Sequence, residues 1–311
     1  MRIFLTGATG HVGGAVLDAL LRAGHEVTAL VRNGDRAGEI AARGVRPVLG
    51  DLGDVESYAA AADAHDGYIH AGFDQSPARC ADVDRLAVQT LLAAARRPRT
   101  ASATAPARRW FIYTSTLSVL GRVPDAVAEN APVNPIPLVA WRPGHEELVL
   151  NANSDSLRTI VIRSGVVYGG ASGAVADLLT AASNGLIRVV GDGGNRWPLV
   201  YDHDLADLYA KLAAHDEASG IYHANDEADE RVNDIVAAIA DHLPSRPDVR
   251  HVPLDEARVR LGHQAEALSL DQVVRGPRAR TIGWAPTLRS VSGSVARLLD
   301  EWRQRNANLV S

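Results

Sequence analysis

The first fourteen residues, Met1-Arg-Ile-Phe-Leu-Thr6-Gly7-Ala-Thr-Gly10-His-Val-Gly13-Gly14, constrain this chain more than any other stretch. Residues 3–5 are a short apolar run of strand length. A glycine turn follows, then apolar residues at helical spacing: Val12, Val16, Ala19, Leu20 and Ala23. Gly24 is placed to close that helix. A strand, a glycine turn and a helix in this order make a phosphate cradle. Gly7 permits the tight turn, Gly10 lets backbone approach a pyrophosphate, and Gly13 lets helix and strand pack closely. The helix start adds N–H donors and the positive end of its dipole. A second strand at 26–32 follows, which is the context a dinucleotide site requires. The plainer alternative is a glycine-rich turn in another α/β protein, because the first gap is one residue longer than in G-x-G-x-x-G.

Composition sets the outer bounds. At 311 residues with 46% hydrophobic and 22% charged residues, the chain can bury a large core in one or two domains. A net charge of −5 gives no electrostatic reason to expect a nucleic-acid or membrane partner. One cysteine, Cys80, precludes an internal disulfide framework and fits a reducing cytosol. No run reaches the roughly 20 apolar residues that span a bilayer, and residues 3–5 are too short for a signal-peptide core. A cytoplasmic location is expected, with no metal site.

Further along, the spacing predicts a doubly wound parallel sheet of order 3-2-1-4-5-6. The second strand ends at Arg32, with Arg36 close behind. Arginine there accommodates the extra phosphate of NADP, whereas an acidic residue would bind the ribose hydroxyls of NAD. NADP(H) is therefore expected over NAD(H); the alternative leaves both arginines solvated and gives the ribose to Asp35. The third strand, 45–49, contains Pro47, which suits a sheet edge. Asp51 follows it and either accepts from an adenine amino group or caps the next helix. Strand four, 68–73, ends in Ala71 and Gly72, small enough for close cofactor approach. A helix is expected over 77–95, a polar loop over 96–109, and strand five over 110–116, running into Thr114, Ser115 and Thr116. Later elements are expected as a helix near 143–153, strand six at 158–163, helices at 174–184, 204–214, 232–243 and 288–305, and strands at 186–190 and 220–224.

Taken together, Thr6-Gly-Ala-Thr-Gly-His-Val-Gly13, Gly50-Asp-Leu52, Tyr113-Thr-Ser-Thr116, Arg163-Ser-Gly-Val-Val-Tyr-Gly169, and Gly191 to Val200 with Asp204-Leu-Ala206 are spread over most of the chain. In these stretches it resembles the extended short-chain dehydrogenase/reductase superfamily, in particular its atypical branch of NAD-dependent epimerase/dehydratase-like proteins. The resemblance implies a Rossmann domain (1–169, with 195–225 returning to it) and a smaller substrate-binding domain (170–194 and 226–311). It implies cofactor contacts from Gly7, Thr9, Gly10, His11, Val12, Gly13, Arg32, Arg36, Asp51, Leu52, Ala71, Gly72, Thr114, His145 and Ser164. The implied substrate pocket comprises Phe73, Leu117, Trp141, Tyr168, Arg196 and Trp197. A homodimer through the helices at 77–95 and 143–153 is also implied.

The family's catalytic hydroxyl falls on Thr116. Its tyrosine and lysine fall on Trp141 and His145, within Trp141-Arg-Pro-Gly-His145-Glu-Glu. Indole offers only an N–H donor and cannot act as the tyrosine does. His145 either holds the cofactor ribose, donates a proton to substrate, or packs passively. Tyr113, Tyr168, Tyr201 and His203 are other conceivable proton sources. Proline costs roughly 3 kcal/mol inside a helix but is welcome at its first turn. The helix is therefore expected to begin near Pro143, leaving Trp141 before it and Glu146 and Glu147 in its first turn. The expected function is an NADPH-dependent reductase of a carbonyl, imine or activated double bond in a small organic molecule. The alternatives are a sugar-nucleotide epimerase/dehydratase and a redox-inactive NADP-binding sensor or partner-binding protein.

Overall fold

The computed structural model describes residues 1–97 and 108–310. Most of the polar loop expected at 96–109 lies outside the described residues. The chain divides into two compact units. One comprises Met1–Ser115, Trp141–Arg163 and Ala206–Tyr222; the other comprises Thr116–Ala140, Ser164–Leu205 and His223–Ser311.

The first unit is built on a seven-stranded parallel sheet. Its strands are β1 (Arg2–Thr6), β2 (Glu26–Val31), β3 (Arg46–Leu49), β4 (Gly67–His70), β5 (Arg109–Thr116), β6 (Leu157–Ser164) and β7 (Gly220–Ala224). Their spatial order is β3-β2-β1-β4-β5-β6-β7, which extends the expected order by one strand. Pro47 lies in the edge strand β3, opposite Ala29. Strands covered on both faces read as continuous apolar runs. Phe4, Tyr68, Phe111 and Tyr113 accordingly pack with Val88 and Leu91 of the helix Cys80–Arg96 and Val149 of the helix Arg142–Leu150. The first helix, His11–Arg22, ends through Gly24 at φ +75°, and His25 N–H donates to Leu20 O. This wrap satisfies carbonyls that the helix end leaves open.

Arg158 on β6 is buried and spends its charge on backbone. It donates to Leu212 O at 2.8 Å, Ala218 O at 3.0 Å and Ala213 O at 3.2 Å. Those carbonyls lie in and just beyond the last turn of the helix Asp202–Ala214, where the dipole favours a cation. Burial nevertheless pulls the guanidinium down to about 10.

The second unit is assembled from pairs of short strands. Val123–Val127 pairs with Gln272–Val274, Val166–Tyr168 with Leu199–Tyr201, and Leu186–Val190 with Asp248–Val252. The helices Ala174–Ser183, Val232–Asp241 and Val295–Val310 enclose a core containing Leu179, Ile187, Ile235 and Leu299. This unit takes more of the chain than expected, because 116–140, 164–169 and 195–205 belong to it. Leu117, Val119 and Leu120 pack with Val139 and Val274, and the Gln272 amide donates to Leu117 O and Gly121 O. The last helix starts at Val295, not 288. The Asp204 carboxylate takes the amides of Thr287 and Leu288, and Glu230 takes those of Val291 and Ser292. These bonds fix the path of the backbone ahead of the helix.

Asp226 is buried beside this segment. Its Oδ1 accepts from Ala228 N–H at 3.0 Å, while Oδ2 has no hydrogen-bond partner among the described residues. Burial, with Glu230 and Asp229 nearby, pushes the carboxyl up to about 8. The fold therefore keeps a proton that the unfolded chain releases near pH 4, so this group's contribution to stability falls as pH rises from about 4 to 8. Asp226→Asn is expected to be more stable than the parent at pH 8, by about 1–3 kcal/mol, with the gap closing toward pH 4. Urea denaturation at pH 5 and pH 8 checks this, and a gap independent of pH refutes it.

Candidate functional site

The C-terminal ends of β1, β2 and β4 are level, with Thr6 paired to Leu30 on one side and His70 on the other. Where these strands stop, their loops open a cavity of about 420 Å³, within the range of cofactor sites. Gly7, Thr9, Gly10, His11, Val12 and Gly13 form one wall. Arg32, Asp51, Leu52, Ala71 and Gly72 form the rest, joined by Phe73. Eleven of the expected cofactor contacts thus converge on one cleft.

Two glycines there are obligatory. A Cβ on Gly13 would stand 2.0 Å from Gly7 O, and one on Gly7 would stand 2.4 Å from Ala71 O, with φ at +79° besides. The first helix starts at Gly10 without a capping side chain and without an acidic residue in its first turn. That bare, backbone-lined helix start is chemistry for a phosphate, so the residues present fit a dinucleotide.

The rim is charged. Asp74 accepts from Arg79 at 2.6 and 3.0 Å, and these bonds with the amide of Ser76 hold its carboxyl below the usual range. Asp51 accepts from Gly53 N–H, closing its own turn, and Arg79 lies 3.9 Å away. Thr6, Leu30, Asp74 and Gln75 also line the cleft and were not anticipated. Arg36 is not at the cleft wall. It lies in an unforeseen helix, Gly34–Ala41, capped by Asn33, and pairs with Glu39 at 2.8 Å.

A second cluster surrounds His145. Its helix begins at Arg142 with Pro143 in the first turn, as the proline requires. Two details differ from expectation. Glu146 and Glu147 fall beyond the first turn. Trp141, though outside the helix, has helical backbone angles, so its ring lies 4.9 Å from the imidazole one turn on. Glu146 is turned away from His145. It pairs with Arg163 at 2.6 Å and accepts from Ser115 Oγ.

His145 is buried, and its Nδ1 lies 2.8 Å from Asp84 Oδ2. The same carboxylate accepts from Tyr113 Oη at 2.7 Å, and His70 Nε2 stands 3.3 Å from Oδ1. Burial by itself would raise the Asp84 carboxyl. The bonds from His145 and His70, with the charge of Arg142, outweigh it and hold Asp84 well below the carboxylate range. Arg142 donates to Thr114 O at 3.0 Å and Tyr113 Oη at 3.2 Å, and lies over the rings of Trp141 and Phe73.

Of the other expected residues, Thr116 ends β5 and accepts from Ser118 N–H, capping the short turn Leu117–Leu120. Thr114 shares a hydrogen bond with the Tyr209 hydroxyl at 2.6 Å, and Ser164 is buried at the end of β6. Neither lines the cleft. Leu117 and Tyr168 pack in hydrophobic clusters. Arg196 is held by Asp271 at 2.8 and 2.9 Å and by Pro124 O. Trp197 borders a cavity of about 200 Å³ in the second unit.

The tyrosines are poor proton sources. Burial raises Tyr113 and Tyr168 far above the ordinary value, and burial with the Glu301 bond pushes Tyr201 up to about 12. Asp84, His70 and Arg142 are not evident from the sequence. A carboxylate on the apolar face shared by Val83, Ala87, Val88 and Leu91 was the available signal.

Comparison with known proteins places this geometry. Residues 3–224 match the family model described as the NAD dependent epimerase/dehydratase family. The 4-hydroxy-2-methyl-3-oxo-4-farnesyl-3,4-dihydroquinoline-1-oxide ketoreductase of Stigmatella aurantiaca is 30% identical over 302 residues, covering 93% of this chain and 85% of that protein. Among solved structures, human epimerase family protein SDR39U1 with NADPH superposes with a TM-score of 0.78 at 19% identity, covering 96% of this chain and 99% of that one. Thermus thermophilus UDP-glucose 4-epimerase with NAD gives a TM-score of 0.79 at 23% identity, covering 97% and 99%. At these identities the two structures establish the fold.

Gly13→Ala tests the cradle directly. The methyl would collide with the Gly7 carbonyl, so dinucleotide affinity is expected to fall about tenfold or more, or ~1.4 kcal/mol. Calorimetric titration with NADP and NAD measures it, and unchanged affinity for both refutes the assignment.

Proposed function

We propose, for a chain that belongs to the NAD dependent epimerase/dehydratase family, that it is an NADPH-dependent reductase of a small organic molecule carrying a carbonyl, imine or activated double bond. The observation that carries this reading is the pairing of an intact phosphate cradle with Trp141 and His145 where the tyrosine and lysine are expected. A nicotinamide cofactor, when bound, would supply hydride. Gly7, Gly10 and Gly13 would hold its pyrophosphate, and Arg32 on the cleft wall would meet the 2′-phosphate. NADPH bound by the human structural neighbour is consistent with this preference.

Oxidising a hydroxyl, as an epimerase must, needs a base at the substrate oxygen, and indole cannot serve. Reduction needs only a hydrogen-bond donor and a proton. Thr116 at the end of β5 offers its hydroxyl to the developing negative charge, and His145 delivers the proton. A site without the family's tyrosine suits substrates whose reduced form is already a stabilised anion, such as quinones and conjugated enones. The ketoreductase named for a 3-oxo-dihydroquinoline oxide supports the coarser reading, reduction of a carbonyl in a small organic molecule. The second reading, a sugar-nucleotide epimerase, draws on the family itself. It is weakened because Arg196, one cation that could meet a diphosphate, is already held by Asp271.

Two measurements test the proposal. Arg32→Ala is expected to lower the ratio of NADP to NAD affinity about tenfold; an unchanged ratio removes Arg32 from phosphate recognition. With a panel of quinones and enones, deuteride from labelled NADPH should transfer stereospecifically. His145→Ala should slow that turnover by on the order of 10²–10⁴-fold, and Thr116→Ala should slow it less. Equal rates in both variants and the parent exclude these residues. Absence of deuteride transfer with every substrate, alongside NADP binding, favours a redox-inactive sensor.

A further inference from the structure

We propose that Asp84 is a positioning residue that fixes His145 in the tautomer protonated at Nδ1, so that Nε2 is the atom exchanging protons with substrate. This rests on the reading of His145 as the proton donor, and it explains how a histidine at the lysine position acquires a defined role.

The tautomer follows from a count of donors and acceptors around one carboxylate. Asp84 sits on the helix Cys80–Arg96 and is 3% exposed. A buried ionised carboxylate accepts only, and two hydrogen-bond partners reach it, with a second histidine nearby. Tyr113 Oη from β5 is 2.7 Å away and His145 Nδ1 2.8 Å away, while His70 Nε2 from β4 stands at 3.3 Å. With Asp84 as acceptor, the proton on neutral His145 must lie on Nδ1. The other ring nitrogen then carries the lone pair in the neutral form and the transferable proton in the charged one.

His70 continues the same logic toward the cofactor cleft. His70 Nε2 faces Asp84, its Nδ1 shares a hydrogen bond with Thr6 Oγ1 at 2.7 Å, and Thr6 Oγ1 accepts from Gly72 N–H at 3.0 Å. Thr6 and Gly72 both line the cleft. The contacts from the cleft wall and those from His145 thus converge on Asp84, which accepts and does not donate.

Asp84 is the charged group in direct contact with His145. Arg142, on its own helix, is turned onto Trp141, Tyr113 and Thr114 O, and Glu146 onto Arg163 and Ser115. Tyr113 stays protonated because of its burial. A reduced nicotinamide, when bound, would supply hydride to the substrate carbon, and the carbonyl π electrons would move to oxygen. That oxygen takes the Nε2 proton. The imidazolium becomes neutral imidazole, keeps Nδ1–H on Asp84, and regains a proton from water.

Nitrogen-15 NMR on histidine-labelled protein reads the tautomer without any substrate, with His145→Gln identifying the signals. Neutral wild-type His145 should be protonated at Nδ1. Asp84→Asn should lose that preference and reduce turnover on the order of 10²–10⁴-fold. A wild-type His145 protonated at Nε2, or a tautomer preference unmoved by Asp84→Asn, overturns the assignment even if His145→Gln is inactive. Should Asp84→Asn fail to fold, the wild-type tautomer alone decides. Unchanged turnover in His145→Gln overturns the proton-donor reading, and with it the role given to Asp84, whichever tautomer is found.

Discussion

Everything in the first unit depends on a backbone contact from which side chains are excluded. The turn after β1 lies so close to the first helix and to the loop after β4 that neither Gly7 nor Gly13 has room for a methyl group. That approach brings the ends of β1, β2 and β4 level and leaves amides, not side chains, lining the cleft. Close packing there and an open phosphate cradle are one geometric fact, because removing Cβ atoms permits both. Thr6 shows the economy of the arrangement. Its backbone completes the strand, while its hydroxyl links Gly72 of the cleft to buried His70.

Behind the cleft, electrostatics takes over from sterics as the controlling influence. A carboxylate buried in a layer of Val, Leu and Ala residues would ordinarily be neutralised. Asp84 instead keeps its charge because Tyr113 and His145 bond to it and His70 and Arg142 lie near. The cluster is mutually dependent. Tyr113 is oriented by Asp84 and Arg142, and Arg142 in turn lies against Trp141 and Phe73. Removing one partner leaves another buried group unpaired.

The central sheet is legible in the sequence because its signals are local. Alternation of apolar runs with helical stripes gives the strand order, and Pro47 marks an edge strand by its missing N–H alone. The cradle is legible for the same reason, since one short glycine turn carries the whole geometry. What is hidden depends on distant partners. Nothing near Leu288 reveals that Asp204 and Glu230 will take the following amides and delay the helix to Val295. Arg36 looks like a phosphate ligand until Asn33 is recognised as a helix cap, which carries the arginine onto a helix of its own. Trp141 and His145 stand out in the sequence as a pair, yet Asp84, some sixty positions earlier, has to be brought beside them by the fold.

The two carboxylates that bind the segment before the last helix carry a further consequence for how such a chain can diverge. Asp204 and Glu230 recognise main-chain N–H groups at Thr287, Leu288, Val291 and Ser292. A clamp of this kind reads the path of the backbone and is largely indifferent to which side chain hangs from it. Apart from the buried Val291 and the Thr287 hydroxyl, which also donates to Asp204 at 2.7 Å, its demand at these positions is negative: proline, which has no N–H, is barred. The segment can therefore drift in sequence while its course stays fixed, so two acidic residues elsewhere in the chain preserve a shape that the segment itself does not encode.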